Sequence, residues 1–407
     1  MNEIKRAILL MCLLAFMMPC VGLAANDGYS SSYTYTYDYW EDVQQSPDAY
    51  RVDAMIDSIT LGLENLNGVR IKKPEALFAA GNDLYLCDTG NNRIIQIAVE
   101  QGKHSVKRVI SEISGTDVVT FNLPTDIFVD AEENIYIADT NNERIVMVDK
   151  DLHFIKQFTK PMDSTFDQNL SFYPKKVVVD VAGRVYALCQ NVNKGLVKYE
   201  SDGTFSGFIG ANTVSVTMAE YIWRRFFMTK AQRAQTVTFV PTEFENCYID
   251  PEGFIYVTNT VFSEYDLKWD NAKPIRRLNS IGTDILVKND RYPPIGDLNW
   301  STGGVAYGPS KFADITVLDN EVYVVVDKSR GRLFGYDNQG ILLWAFGGKG
   351  NYDGAFSSAI SVEHIGYNLY VLDENENSIT VFTPTEYGML IYDAIDEYSR
   401  GEYDKCA

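Results

Sequence analysis

Short apolar runs alternate with polar turns along most of this chain, and a helical period is confined to two short segments. The run IYIADTNNERIVMV (135–148) echoes LYLCDTGNNRIIQI (84–97), and weaker copies are VYALCQ (185–190), FIYVTN (254–259), VYVVVDKSRGRLFGY (322–336) and LYVLDENENSITVF (369–382). Self-similarity of this kind marks a repeat architecture. Tyr85, Tyr136, Tyr186, Tyr256, Tyr323 and Tyr370 flag six copies, at intervals of 51, 50, 70, 67 and 47 residues. The shorter intervals suit one four-stranded blade each, and the two long ones imply insertions.

Each copy carries the same strand and turn signals. A proline opens five of them, at Pro74, Pro124, Pro174, Pro241 and Pro309. An apolar run follows, such as IFVD, VVVD or CYID, and then a turn at Gly81, Glu133, Gly183, Gly253 or Asn320. The tyrosine strand comes next, alternating or wholly apolar as a half-buried or buried strand requires. A third strand such as LVKYESDG or LFGYDNQG ends in Asp/Asn-Gly turn chemistry, and a fourth runs to an aromatic and a glycine, as in TFSGFIG and ILLWAFG. This predicts an all-β chain, a six-bladed β-propeller over 49–385. Open sheet edges aggregate, so the ring must close. The segment AYRVDAMI (49–56) is expected to pair into the last blade and latch it.

The first two copies resemble the NHL repeat, a proline, an apolar strand, Asp, Ile-Tyr-Val, Asp and Asn-x-Arg-Ile, as in LPTDIFVDAEENIYIADTNNERIVMVD. The resemblance spans roughly residues 70–383; the sixth copy lacks the proline and the arginine. It implies an extracellular sensor, a scaffold, or a lactone hydrolase or lyase, since one fold hosts several functions.

Several segments lie outside the repeat. Lys5 and Arg6, the apolar run Ala7–Met18 and the small Ala24-Ala25 exit predict a secretory signal peptide over 1–25, and thus an extracellular or cell-surface protein. No later segment is apolar enough to span a membrane. Residues 26–48 contain the tract YSSSYTYTYDYW and read as a Tyr/Ser-rich linker or an aromatic docking strip. MAEYIWRRFFMTKAQRAQ (218–235) predicts a helical insertion capping one face of the ring, and Tyr265–Trp269 and Tyr292–Trp300 place further aromatics on loops. In the tail, 386–407, Tyr387, Leu390/Ile391, Ala394/Ile395 and Tyr398 recur at helical spacing. The following RGEYDKCA resembles the turn and second-helix start of a tetratricopeptide repeat. One half-repeat cannot bury its own apolar face, so the reading favours a chain continuing into helical repeats over a helix docked on the propeller.

Charge and cysteines narrow the partners. The formal net charge is −19, and losing Glu3, Lys5 and Arg6 with the leader makes it one unit more negative. Such a surface repels nucleic acid and anionic lipid. Cys87, Cys189, Cys247 and Cys406 match no zinc or disulfide framework, so stability must come from an apolar core.

Two constellations carry candidate chemistry. The first is an Asp-x4-Arg step, Asp88/Arg93, Asp139/Arg144 and Asp327/Arg332. It reads as a bidentate brace across a turn, or as an Arg and Asn ring on one face in which Arg93 and Arg144 bind a partner. The second is the start of the innermost strand, where Asp126, Lys176, Asn246, Asp314 and Glu363 should meet around a channel. Their oxygens could hold Ca²⁺, as the lactone-hydrolysing relatives do, although Lys176 competes with a metal. The duller account is a self-neutralised polar channel filled with water. Of the three histidines, His104 and His153 fall near outermost strands and only His364 on an inner one, too few for a histidine-held metal centre. No catalytic elbow, zinc helix or phosphate loop is present in the sequence. The expectation is therefore a monomeric, non-enzymatic binding module, with no obligatory cofactor, for a glycan, peptide or protein. A Ca²⁺-dependent sugar-lactone hydrolase is the alternative.

Overall fold

The structure, a computed structural model, describes residues 34–38, 42–66, 68–114, 119–211, 244–262, 267, 273–288, 293–297, 301–302, 305–306, 308–350 and 352–405. The leader, the helix expected at 218–235, and Tyr265, Trp269, Tyr292, Trp300 and Cys406 lie outside them. The rest is mostly sheet in a β-propeller arrangement. Five antiparallel blades have at least four strands. Blade A contains Ala76–Ala80, Asp83–Asp88, Arg93–Glu100 and Lys103–Ile110. Blade B contains Pro124–Val129, Ile135–Asp139, Arg144–Val148 and Phe154–Thr159. Blade C contains Pro174–Val179, Val185–Cys189, Gly195–Tyr199 and Phe205–Gly210. Blade D contains Phe312–Val317, Tyr323–Asp327, Arg332–Tyr336 and Leu342–Lys349. Blade E contains Ala359–Ile365, Asn368–Asp373, Ser378–Pro384 and, from the start of the chain, Tyr50–Ile56. A three-stranded sheet of Asn246–Ile249, Ile255–Thr258 and Ile275–Leu278 sits between blades C and D, its first strand beside theirs.

Apolar residues lie on both faces of these sheets because each sheet packs between two others. One cluster joins blades A and B through Tyr85, Ile94, Ile127 and Ile137, and another joins B and C through Tyr136, Ile145, Val177 and Ala187. Further clusters continue past the three-stranded sheet to D, from D to E, and from E back to A. Each fully buried aliphatic side chain contributes roughly 1.5–3 kcal/mol. Polar stitches recur with the repeat: the Thr89 and Thr140 hydroxyls donate to the Pro124 and Pro174 carbonyls of the next blade, each at 2.7 Å. The turn after the first strand takes a left-handed residue at Gly81, Glu133, Gly183, Gly253 and Gly366. In blade D that residue is Glu321, one later than the Asn320 expected from sequence.

Tyr50–Ile56 pairs antiparallel with Ser378–Pro384, as the closure argument predicts. Two other expectations are corrected. Within the tract read as a linker, Tyr35–Tyr37 pairs with the outer strand of blade D, and Val43–Gln45 pairs with it in turn. Tyr35 is buried, and its hydroxyl donates to Asp297 at 2.7 Å; the Tyr37 hydroxyl and Arg332 bond the same carboxylate at 2.8 and 2.7 Å. A buried carboxylate holding three donors fixes the strand, which a surface linker would not do.

The second correction concerns the tail. Thr385 caps a helix, Glu386–Ser399, by accepting from the Gly388 N–H. Residues 401–405 form turns, and the helix docks on the propeller. Tyr392 is fully buried, shares a 2.6 Å hydrogen bond with Tyr50 and stacks on Tyr367 at 4.7 Å. The apolar face that a half-repeat leaves bare is covered here by blade E and its neighbour. Among the described residues no helix is long and apolar enough to cross a membrane.

Gly388 lies against the Ala49 carbonyl oxygen, which a Cβ would overlap. Gly388→Ala should therefore push the helix off the latch and cost about 1–3 kcal/mol, measured as a lower denaturation midpoint. An unchanged midpoint would show that the helix does not support the closing blade.

Candidate functional site

The innermost strands leave one edge without a strand partner, so their N–H groups need other acceptors. The strands of blades B, C, D and E each carry a register shift near their start, between Pro124 and Asp126, Pro174 and Lys176, Phe312 and Asp314, and Ala359 and Ser361. Such a bulge re-aims the following side chain. Asp126 accepts the Val177 N–H of the next blade at 2.8 Å, and Asp314 accepts the Val362 N–H at 2.9 Å. Ser361 accepts the Leu77 N–H at 3.2 Å and so carries the same device across the closure.

Pairing register puts Asp126, Lys176, Asn246, Asp314 and Ser361 at one level, opposite Ala138, Leu188, Thr258, Val326 and Leu372. Glu363 was expected there and is not: it lies one pleat further along, opposite Tyr370. Spacing from the repeat tyrosine carries the signal. Ten residues separate Asp126 from Tyr136, nine separate Ser361 from Tyr370, and Glu363 stands only seven away.

The ring is nearly self-satisfied. Lys176 Nζ lies 3.5 Å from Asp126, the Asn246 amide donates to Asp314, and Asp314 also accepts from Ile315 N at 2.7 Å and Ser361 Oγ at 2.6 Å. Asn246 uses its own oxygen on the Cys247 N–H at 2.7 Å. Burial pushes the Asp126 carboxyl up to about 6, against the pull of Lys176, and raises Asp314 as well. Burial pulls Lys176 down, but Asp126 and Asp314 more than offset it, so the ammonium is retained. Burial also lifts Glu363 well above the carboxylate range, with Asp314 adding to the effect. Its carboxylate accepts from Thr316 at 3.3 Å, and Thr316 also bonds His364 at 2.7 Å.

These residues do not fit a Ca²⁺ cage. Calcium needs six or more oxygens facing one point, whereas an ammonium and an amide N–H₂ point at the channel carboxylates. Among the described residues, the three acidic or histidine side chains that gather within 4.8 Å are Asp149, Asp151 and His153, in the turn before the outer strand of blade B.

Arg93 and Arg144 brace their own turns, the first of the two readings of the Asp-x4-Arg step. Arg93 Nε meets Asp88 at 2.6 Å and its Nη2 donates to the Val69 carbonyl; Arg144 Nε meets Asp139 at 2.9 Å and its Nη2 donates to the Thr120 carbonyl. The third pair is exchanged: Asp327 faces Arg330 at 3.3 Å, and Arg332 turns to Asp297.

Two cavities meet the ring. The larger, about 650 Å³, opens where the first strands end and is walled by Phe78, Phe128 and Tyr248 over Lys176 and Glu363. The smaller, about 340 Å³, opens where those strands begin and is lined by Glu75, Lys175, Glu245, Lys328 and Glu374. The aromatic wall was not read from the sequence, although Phe78, Phe128 and Tyr248 each stand two residues beyond the ring level.

No protein-family model matches the chain, and no curated protein matches its sequence. Solved structures resemble it only distantly. A virginiamycin B lyase from Staphylococcus aureus is 10% identical, with 82% of this chain and 99% of that chain covered and a TM-score of 0.43. A putative gluconolactonase is 11% identical over 77% and 89%, with a TM-score of 0.45. A Bacteroides thetaiotaomicron protein of unknown function is 10% identical over 82% and 72%, with a TM-score of 0.47. Likeness this distant carries no argument about activity.

A carboxyl whose folded pKa lies above its ordinary value costs stability as the pH rises from that ordinary value through the folded one. For Asp126 the window runs from 3.8 to about 6. Lys176→Met leaves its carboxylates without a counter-charge, so it should cost about 3–5 kcal/mol at pH 8 and much less near pH 5. Denaturation at the two pH values checks this, and an equal loss at both would refute the pairing.

Proposed function

We propose that this protein is an exported, non-enzymatic binding propeller of six blades and NHL type, which recognises a glycan, peptide or protein at the cell surface through the larger channel mouth. One observation carries the reading. A 650 Å³ cavity with aromatic walls stands over a floor whose donors and acceptors are committed to each other. A concave, partly apolar site with a few convergent polar groups is built to hold a ligand.

The six-blade count is supported by the three-stranded sheet, which has the tyrosine spacing of the other blades and packs between C and D. The Ile285 N–H donates to Arg277 O at 2.7 Å, continuing that sheet toward a fourth strand. The NHL type is supported by the Asp-Arg braces of blades A and B. Export rests on the leader pattern of residues 1–25, and the acidic charge disfavours nucleic acid. The propeller proper is assigned to 49–385 and is taken to be monomeric.

The second reading, a Ca²⁺-dependent sugar-lactone hydrolase, is supported by the oxygens of Asp126, Asn246, Asp314 and Glu363 in one channel. It requires Lys176 and the Asn246 amide to leave them.

Titrating the intact protein with oligosaccharide and peptide panels tests the proposal. Saturable binding, weakened at least tenfold by Phe128→Leu at an unchanged melting temperature, is the expected result. Calcium uptake with lactone turnover, abolished by Asp126→Ala, would overturn it in favour of the hydrolase.

A further inference from the structure

The two mouths of the channel differ in charge. The smaller is balanced, with Glu75, Glu245 and Glu374 facing Lys175, Lys176 and Lys328. The larger is lined by eight carboxylates and one lysine. Some of that excess is neutralised: Asp180 meets Arg184 at 2.7 Å, Asp250 meets Arg277 at 3.0 Å, and Asp126 and Asp314 face Lys176. Among the described residues no ion pair reaches Glu363, Asp130, Glu132 or Asp319.

Glu363 is only 6% exposed, yet it lines the cavity and has no cation beside it. A buried carboxyl without a counter-charge is held in its neutral form, as burial does here. Beside it stand half-buried aromatic rings, Phe78 and Phe128, with centroids 5.0 Å apart and planes inclined at 51°. An aromatic face attracts a cation through the ring quadrupole, more strongly when water is excluded. The wider field acts the same way, since a chain of net charge −19 draws cations toward an acidic cleft.

We propose that the ligand of the larger cavity carries a cationic nitrogen, an ammonium or guanidinium centre on an apolar body, held between the aromatic wall and Glu363. This rests on the binding reading above and names its ligand class. Phe78, Phe128 and Tyr248 enclose the apolar body, Glu363, neutral in the empty cavity, releases its proton to solvent as the cation binds and becomes the counter-charge, and Asp130 and Asp319 draw the cation in at the rim.

The test is calorimetric titration of the full chain with three probes of one shape: benzyltrimethylammonium, benzyl alcohol and phenylacetate. The ammonium should bind at least tenfold more tightly than the alcohol, and phenylacetate should show no saturable binding. Glu363→Gln and Phe128→Leu should each weaken the ammonium fivefold or more. Asp319→Asn, at an exposed position with no side-chain hydrogen bond or ion pair among the described residues, should weaken it about twofold and keeps the test valid if Glu363→Gln does not fold. Equal affinity for the alcohol, preference for phenylacetate, or no ammonium binding overturns the cation proposal. A neutral glycan or peptide that binds and is lost in Phe128→Leu, without any preference for cations, sinks this proposal and leaves the binding reading standing.

Discussion

The ring depends on the unpaired edge of its innermost strands. A strand facing a channel has backbone N–H groups that no neighbouring strand accepts, and a buried orphan donor costs about 1–3 kcal/mol. This chain answers with a side chain from the preceding blade. Asp126 takes the Val177 N–H, Asp314 the Val362 N–H, and Ser361 the Leu77 N–H. Each bond crosses a blade junction and aligns adjacent sheets, and Ser361 does so where the two ends of the propeller meet. The bulges at the strand starts follow from the same need, because they turn these side chains toward the neighbour.

That structural duty shapes the chemistry left to the channel. Once two carboxylates are buried as junction acceptors, they need a counter-charge, and Lys176 supplies it. The ring is then close to self-neutralising and has little spare capacity for a metal. One pleat outward, Phe78, Phe128, Val178 and Tyr248 stand on four successive sheets, and Thr316 and Glu363 on the two that follow. Rim aspartates such as Asp130 accept N–H groups of their own turns, so much of the acidity at the mouth is a by-product of hairpin construction.

The ends of the chain are held in a related way. Tyr50–Ile56 completes blade E, the C-terminal helix covers that junction, and Tyr35–Tyr37 lengthens blade D under the grip of Asp297. A ring closed by pairing distant parts of one chain has no free edge at the seam. Three buried tyrosines, Tyr35, Tyr50 and Tyr392, each place a hydroxyl on a partner far away in sequence.

Local order was legible in the sequence. The tyrosine spacing marked the five four-stranded blades, the period of two marked the strands, and the Asp-x4-Arg step marked a brace in blades A and B, because those interactions lie within a few residues of one another. Closure by 49–56 could also be argued, since an open edge is unstable in any propeller. What tertiary structure decided is what crosses between blades. Glu363 was misplaced by one pleat because a period of two puts Ser361 and Glu363 on the same face, and only the pairing between strands selects which of them stands at the ring level. Arg332 left Asp327 for Asp297, and a tract that looked like a linker became a strand, because the partner lies 35 residues away in the first case and some 260 in the second. The helical tail found its cover on the latch. A period of two determines which residues share a face, but only the closed ring determines what that face meets.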